Sequence, residues 1–216
     1  MPPEQGFVPS LHYRPLTPLY DVFIRLGLKE KAFRGKLIKH AGIVPDHLVL
    51  DVGCGTATLT LMVKKAQPEA VVTGFDYDLD ALAFARRKIT RARLDIALVR
   101  GTALELPFAD MSFERVLSSL MFHHLTTENK QRAFREIFRI LKPGGEFYLA
   151  DFGPPNSRLM RFLTFVVGRF EKLSDNTGGR LPVMMAEAGF TDVAHLDDYN
   201  TVFGTVAFYK GKRRAR

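Results

Sequence analysis

Two short stretches of this chain hold residues whose types and spacing could do chemistry. The first is LDVGCGT at residues 50–56, where Asp51 stands two places ahead of Gly53 and Gly55, with Cys54 between them. The second is FHHL at residues 122–125, with His123 and His124 side by side. A glycine turn between a strand and a helix often cradles phosphate, because its backbone N–H groups and the helix N-terminus attract anions. Asp51 argues against that use, since a carboxylate at the mouth of the turn repels pyrophosphate and attracts an ammonium or sulfonium. The third glycine of a dinucleotide fingerprint is also missing, its place taken by Thr58. The turn therefore suits a cation, and Gly53 and Gly55, lacking Cβ, let a ligand lie against the backbone. Asp76, which ends GFD, can take both hydroxyls of a ribose, a role an acidic residue plays for more than one nucleoside cofactor. Histidine titrates near neutrality and can remove a proton from an attacking group. His123 and His124 thus offer one general base, with the choice between them open.

These groups must be positioned by elements that the rest of the chain spells out. From residue 47 onward β-rich runs alternate with helix-length periodic segments, which predicts crossover units and a parallel sheet. Strands are expected at 47–52, 70–76, 95–101, 113–119, 145–151, 194–200 and 205–211. Leu59, Met62, Val63 and Ala66 recur at helical spacing and are expected to lie on the sheet. Asp78 can cap a helix running through Arg91. Thr126 or Thr127 can cap another, with Ala133, Phe134, Ile137, Phe138 and Leu141 as its apolar stripe and Pro143, Gly144 and Gly145 as its stop. Only Thr201 to Gly204 separate the last two strands, too few residues for a helical crossover, so the sheet should end in an antiparallel hairpin. The fold expected is α/β, a doubly wound, seven-stranded, mostly parallel sheet with N-terminal helices and a helical lid insertion. Ligands gather at the carboxyl ends of such strands, which singles out Asp51 to Gly55, Asp76 to Asp78, Thr102 to Leu104, Ser118 to His124 and Asp151 to Gly153.

With these residues in view, the chain resembles the class I S-adenosylmethionine-dependent methyltransferases. VLDVGCGTATLT looks like their first motif and GFDYD like their acidic second. GTALELPFADMSFERVLSSLMFHHL looks like their third and fourth strand ends, and LKPGGEFYLADFG like their fifth-strand signature. Within that family, LYDVFIRLGL and FGTVAFYKGKR resemble the ubiquinone and menaquinone biosynthesis methyltransferases. The resemblance implies a Rossmann-like methyltransferase fold and S-adenosylmethionine as cofactor. It implies that Asp51, Gly53, Cys54 and Gly55 surround the methionyl end, that Asp76 holds the ribose and that Tyr77 flanks the adenine. Thr102 stands where many relatives have an aspartate for the adenine amino group; it can accept through its hydroxyl while the backbone of Ala103 donates to the ring. Leu104 and Phe108 would line an apolar wall, Ser118 would stand at the fourth strand end, and Tyr20 or Tyr13 would fold over the cofactor. Methyl transfer needs nucleophile, methyl carbon and sulfur held in line away from water, with one of His123 and His124 as base.

Length and composition set the frame. The 216 residues, 46% of them apolar, suit one domain with a sizeable core. Its expected parts are an arm with helices at 1–45, the cofactor-binding core at 46–153, a helical lid region at 154–190, a hairpin at 191–211 and a basic tail at 212–216. The net charge is +8, of which KGKRRAR supplies five. That stretch reads as a solvated terminus rather than a nucleic-acid arm. No apolar run reaches the roughly 20 residues that span a bilayer, so a cytoplasmic protein is expected. The alternating apolar and basic residues of 154–190 leave peripheral membrane contact as an alternative. Cys54 is the sole cysteine, which excludes an internal disulfide. No carboxylate or third histidine stands at metal-ligand spacing to the histidine pair, so no metal is expected. His12, His40, His47 and His195 read as surface residues. SSLMFHH lacks the polar-Pro-Pro-aromatic stretch typical of amino-methylation of nucleic-acid bases, which favours a small apolar or aromatic acceptor: quinone-like, phenolic, lipid or amine. The rival readings are a non-catalytic cofactor-binding or nucleic-acid-associated module and a nicotinamide-dependent oxidoreductase.

Overall fold

The computed structural model describes residues 30–161, 174–201 and 203–215. Tyr13, Tyr20, His12 and the middle of the expected lid fall outside these residues.

Seven strands form one sheet in the order β3-β2-β1-β4-β5-β7-β6. They are β1 (Leu48–Val52), β2 (Val71–Asp76), β3 (Ala97–Arg100), β4 (Phe113–Ser119), β5 (Leu141–Phe152), β6 (Thr191–Thr201) and β7 (Gly204–Lys212). The first five run parallel, and β7 lies antiparallel between β5 and β6. The expected doubly wound sheet and its closing hairpin are both present. Chain order reverses between β1 and β4, and the loops leaving those two strands carry the glycine turn and the histidine pair.

The helices cover both faces. On one side lie α1 (Glu30–Ala41) and α2 (Thr58–Ala66). Phe33, Leu37 and Ala41 of α1 recur at helical spacing and are fully buried against Val49, Leu117, Tyr148 and Phe208. On the other side α4 (Thr127–Ile140) buries Ala133, Phe134, Ile137 and Ile140 with Phe122, Phe147 and Phe190. The Phe122 and Phe134 rings stack at 4.4 Å. Burying one such ring stabilises the fold by about 1.5–3 kcal/mol. Between these helices, α3 (Leu79–Ala92) starts at Asp78, whose carboxylate accepts from the N–H groups of Asp80 and Ala81, as expected of its cap. Of the two candidate caps for α4, Thr126 is used and accepts from Asn129 N–H. Two short helices, α5 (Ser174–Thr177) and α6 (Leu181–Glu187), return the chain to the sheet.

Three local expectations are corrected. On α2 the buried face is Leu59, Thr60 and Val63, while Ala66 is exposed. Thr60 goes inward because it has a carboxylate to bond there. Pro143, Gly144 and Gly145 do not stop α4. The helix ends at Ile140, Leu141 already pairs with Phe113, and the proline and glycines form an irregularity before pairing resumes at Arg115 with Glu146. The basic stretch is no free tail, since Lys210 and Lys212 belong to β7. Arg213 Nη1 donates to the carbonyls of Phe138, Arg139 and Leu141 at 2.8–3.0 Å, and its guanidinium lies 5.0 Å from the Phe138 ring centroid. Carbonyls at a helix end lack partners within the helix, and this arginine supplies them.

Arg213→Ala is therefore expected to destabilise the fold by about 1–2 kcal/mol. Urea unfolding should show a lower midpoint at unchanged slope, whereas an unshifted midpoint would mean that the arginine does not support α4.

Candidate active site

The turn after β1 is built by the strand beside it. The N–H groups of Gly53 and Cys54 both donate to Phe75 O, at 2.8 and 3.0 Å, and Gly55 N–H donates to Asp76 Oδ2 at 2.7 Å. Gly53 and Gly55 have φ of 78° and 51°, in the left-handed region where a side chain is strained. Their surroundings differ. A Cβ at Gly53 would meet Met121 Cγ at 2.4 Å, so that space is filled by a side chain from the loop after β4. A Cβ at Gly55 would meet nothing within 4 Å. Gly55 is therefore the glycine that a ligand can approach. Outside the turn, Lys88 Nζ reaches from α3 to Thr56 O at 2.6 Å and Thr58 Oγ1 at 3.0 Å.

Asp51 lies under this turn, 1% exposed. Thr60 Oγ1 donates to its Oδ2 at 2.7 Å, while Oδ1 is buried with no partner among the described residues. Burial pushes the pKa of Asp51 up to about 6, against the Thr60 hydrogen bond and the charge of Arg34, which pull it down. A buried carboxylate oxygen with no donor is costly in isolation. A positive charge placed against it would offset that cost. Arg34 itself reaches from α1 to Ser119 Oγ at 3.4 Å and pairs with Glu30.

Asp76 closes β2 beside the turn, its two oxygens accepting from Gly55 and Asp78 N–H, and burial raises its pKa. Tyr77 is exposed, with the Arg100 guanidinium 5.8 Å from its ring centroid. Thr102 Oγ1 accepts from Leu104 N–H at 3.3 Å within its own turn, and Ala103, Leu104 and Phe108 pack against the core beside it. Two expected contacts use other atoms. The Ser118 hydroxyl is fully buried and donates to Val52 O at 2.8 Å, stitching β4 to β1. The Cys54 thiol is buried beside Gly74, with its pKa driven up by burial, and donates to Gly55 O at 3.8 Å within the turn.

The histidine pair lies in a 3-10 turn, Phe122–His124, after β4 as expected. Their rings pack together, with centroids 4.0 Å apart. His123 Nδ1 lies 2.8 Å from Asp151 Oδ1 at the end of β5. Asp151 is fully buried, which alone would raise its pKa. The charge and hydrogen bond of His123 and the N–H of Phe152 outweigh burial and hold it below the ordinary range. An ionised carboxylate can only accept, so Nδ1 carries a proton, and in the neutral ring Nε2 is then the acceptor. Phe122 N–H also donates to Asp151 Oδ2 at 2.8 Å, and Asn176 Nδ2 to Oδ1 at 3.2 Å. Asp151 stands at one of the strand tips that the sequence singles out. Thr60, Arg34, Lys88 and Asn176 carry no signal there, because each is recognisable only by what it touches after folding.

A carboxylate-floored glycine turn and a histidine turn thus meet at the point where strand order reverses, through Met121 and Gly53. Residues 49–145 match a family model described as a methyltransferase domain. A demethylmenaquinone methyltransferase of Listeria monocytogenes serotype 4a is 30% identical over 230 residues, covering 94% of this chain and 95% of that protein. One from Thermus thermophilus is 29% identical, covering 92% and 98%. A SAM-dependent methyltransferase from Aquifex aeolicus has the same fold, with TM-score 0.65, 15% identity and coverage of 93% and 100%. The chain belongs to the family of S-adenosylmethionine-dependent methyltransferases. Its site suits that cofactor: the unpartnered Asp51 oxygen suits a positive charge, and the space at Gly55 lies open.

The raised pKa of Asp51 has a sign that can be checked. In the cofactor-free protein, folding takes up a proton between pH 3.8 and about 6. That contribution to stability is complete at lower pH and is lost as pH rises through about 6. Cofactor binding should run the other way, its dissociation constant rising roughly tenfold for each pH unit below the pKa. Asp51→Asn should weaken binding by about 1–3 kcal/mol at pH 8 and flatten this dependence. Calorimetry in two buffers of different ionisation heat measures both, and a wild-type constant that does not vary with pH removes Asp51 from this role.

Proposed function

We propose that this enzyme transfers the methyl group of S-adenosylmethionine to a ring carbon of a hydroquinone, of the kind formed by reducing a 2-alkyl-1,4-naphthoquinone, with His123 as the base. The observation that carries the choice of base is the 2.8 Å bond from His123 Nδ1 to the buried Asp151, which leaves Nε2 as an acceptor. Two relatives aligned over almost their whole length carry the name demethylmenaquinone methyltransferase, which supports an acceptor of this class.

The bound cofactor supplies an electrophilic methyl group on a sulfonium. For this chain's part, Asp51 and the Gly53 to Gly55 turn would hold the methionyl end and Asp76 the ribose, while Tyr77, Thr102, Ala103 and Leu104 would form the adenine side. Arg34 supplies a positive charge near Asp51, where the carboxylate of an amino-acid group can be received. An aromatic ring carbon is a weak nucleophile until the neighbouring hydroxyl loses its proton. His123 Nε2 takes that proton, and the charge on the imidazolium is offset by Asp151, in the arrangement that orients other histidine bases. With the cofactor bound, the ring carbon would take its methyl group while the electron pair of the broken carbon–sulfur bond stays on sulfur. The ring carbon would then lose its remaining proton to solvent, which restores aromaticity, and the His123 imidazolium would return its proton to the ring oxygen, which regenerates the base. His124, with its ring against His123, packs the base in place.

His123→Asn should lower kcat by about 10²–10⁴-fold and leave the dissociation constant of S-adenosylmethionine within about twofold, as expected of a change confined to the chemical step. His124→Asn should cost far less. Rates of S-adenosylhomocysteine formation with a short-chain 2-alkyl-1,4-naphthohydroquinone read both. A His123 variant that keeps wild-type turnover sinks the assignment of the base, and turnover confined to amines sinks the acceptor class.

A further inference from the structure

Asp151 carries more hydrogen bonds than orienting His123 requires. It accepts from Phe122 N–H, His123 N–H, His123 Nδ1, Phe152 N–H and Asn176 Nδ2. Four of these donors come from β5 and the turn after β4, whereas Asn176 comes from α5, at the foot of the segment that follows β5. Asn176 is fully buried, and its Oδ1 has no partner among the described residues. Turning the amide over would set that oxygen against a carboxylate oxygen, so the orientation is fixed by Asp151. An orphaned buried acceptor is a cost to stability, which points away from a packing role. A four-residue helix cannot hold itself together. It is pinned by Asp175, which accepts from Thr127 Oγ1 at 2.5 Å and Lys130 Nζ at 3.3 Å and pairs with Arg180 at 3.0 Å.

We infer that Asn176 is a positioning residue that sets the basicity of His123 by donating to Asp151. This rests on the reading of His123 as the base. Each hydrogen bond to Asp151 spreads its charge and weakens its hold on the imidazole proton. Without the amide, Asp151 draws more strongly on His123, the imidazolium is favoured, and less of the free base is present at a given pH. The other charged and titratable groups around the pair are His124 from the same turn, Lys130 of α4 with its partners Asp175 and Arg180, and Tyr209 of β7. None of them is altered by the change tested.

The test uses Asn176→Leu, which keeps volume and removes the donor, and Asn176→Asp, which adds a carboxylate. The acid limb of the pH profile of kcat/KM should move to higher pH by about 0.5–1 unit in the leucine variant and further in the aspartate variant, with cofactor affinity unchanged. NMR titration of the His123 ring in the folded enzyme without acceptor should show the same order. Asn176→Ser, which leaves room for a water, replaces the leucine variant if that does not fold. An acid limb and a histidine titration that stay at their wild-type pH in folded variants overturn the inference. If His123→Asn leaves turnover intact, the base assignment has failed instead, and the NMR titration still reports on Asn176.

Discussion

The site depends on a carboxylate placed where a folded protein would ordinarily refuse one. Asp51 sits within β1, between β2 and β4, with apolar neighbours on its own strand and one hydroxyl for company. Parallel strands flanked on both sides are buried on both faces, so a charge at this position has little water to fall back on. The fold keeps it at the cost of an unpartnered oxygen. A positive charge placed against that oxygen would offset the cost, whereas an anion approaching the same turn would be opposed by it.

A second buried carboxylate closes β5, and the two behave in opposite ways. Both are excluded from solvent, yet Asp51 is pushed toward its neutral form and Asp151 is held ionised. The difference lies in the number of donors. One hydroxyl cannot offset desolvation at Asp51, whereas backbone N–H groups, an imidazole and an amide together reverse it at Asp151. One carboxylate keeps an unpartnered oxygen, and the other is satisfied by protein donors that include a histidine. Pairs of titratable groups driven apart by their surroundings are a recurrent mark of catalytic sites.

Much of this is legible in the sequence, for reasons of period and punctuation. The strand and helix pattern follows from spacing of apolar residues, and the Asp78 and Thr126 caps follow from side chains suited to exposed N–H groups. Asp51, Asp76 and the glycines can be placed because they lie at or just after strand ends. What sequence does not show is side-chain company. Thr60 reads as a surface residue of an amphipathic helix until Asp51 is seen beneath it. Asn176 sits in an unremarkable polar run, 25 residues from the carboxylate it meets. The sequence leaves the choice between His123 and His124 open, because which ring meets Asp151 is settled only by the 3-10 turn that holds them side by side. Arg213 looks like part of a loose charged end because its partners are carbonyls, which leave no trace in composition.

Met121 fills the space where Gly53 would carry a side chain, and it stands two residues before His123. The cofactor turn and the turn bearing the histidines are thus a single wedge and socket. A displacement of the backbone at residue 53 would therefore press directly on Met121 and on the turn that follows it. Arrival of one substrate can thereby adjust the geometry awaiting the other, which would make an ordered sequence of binding a natural property of the chain.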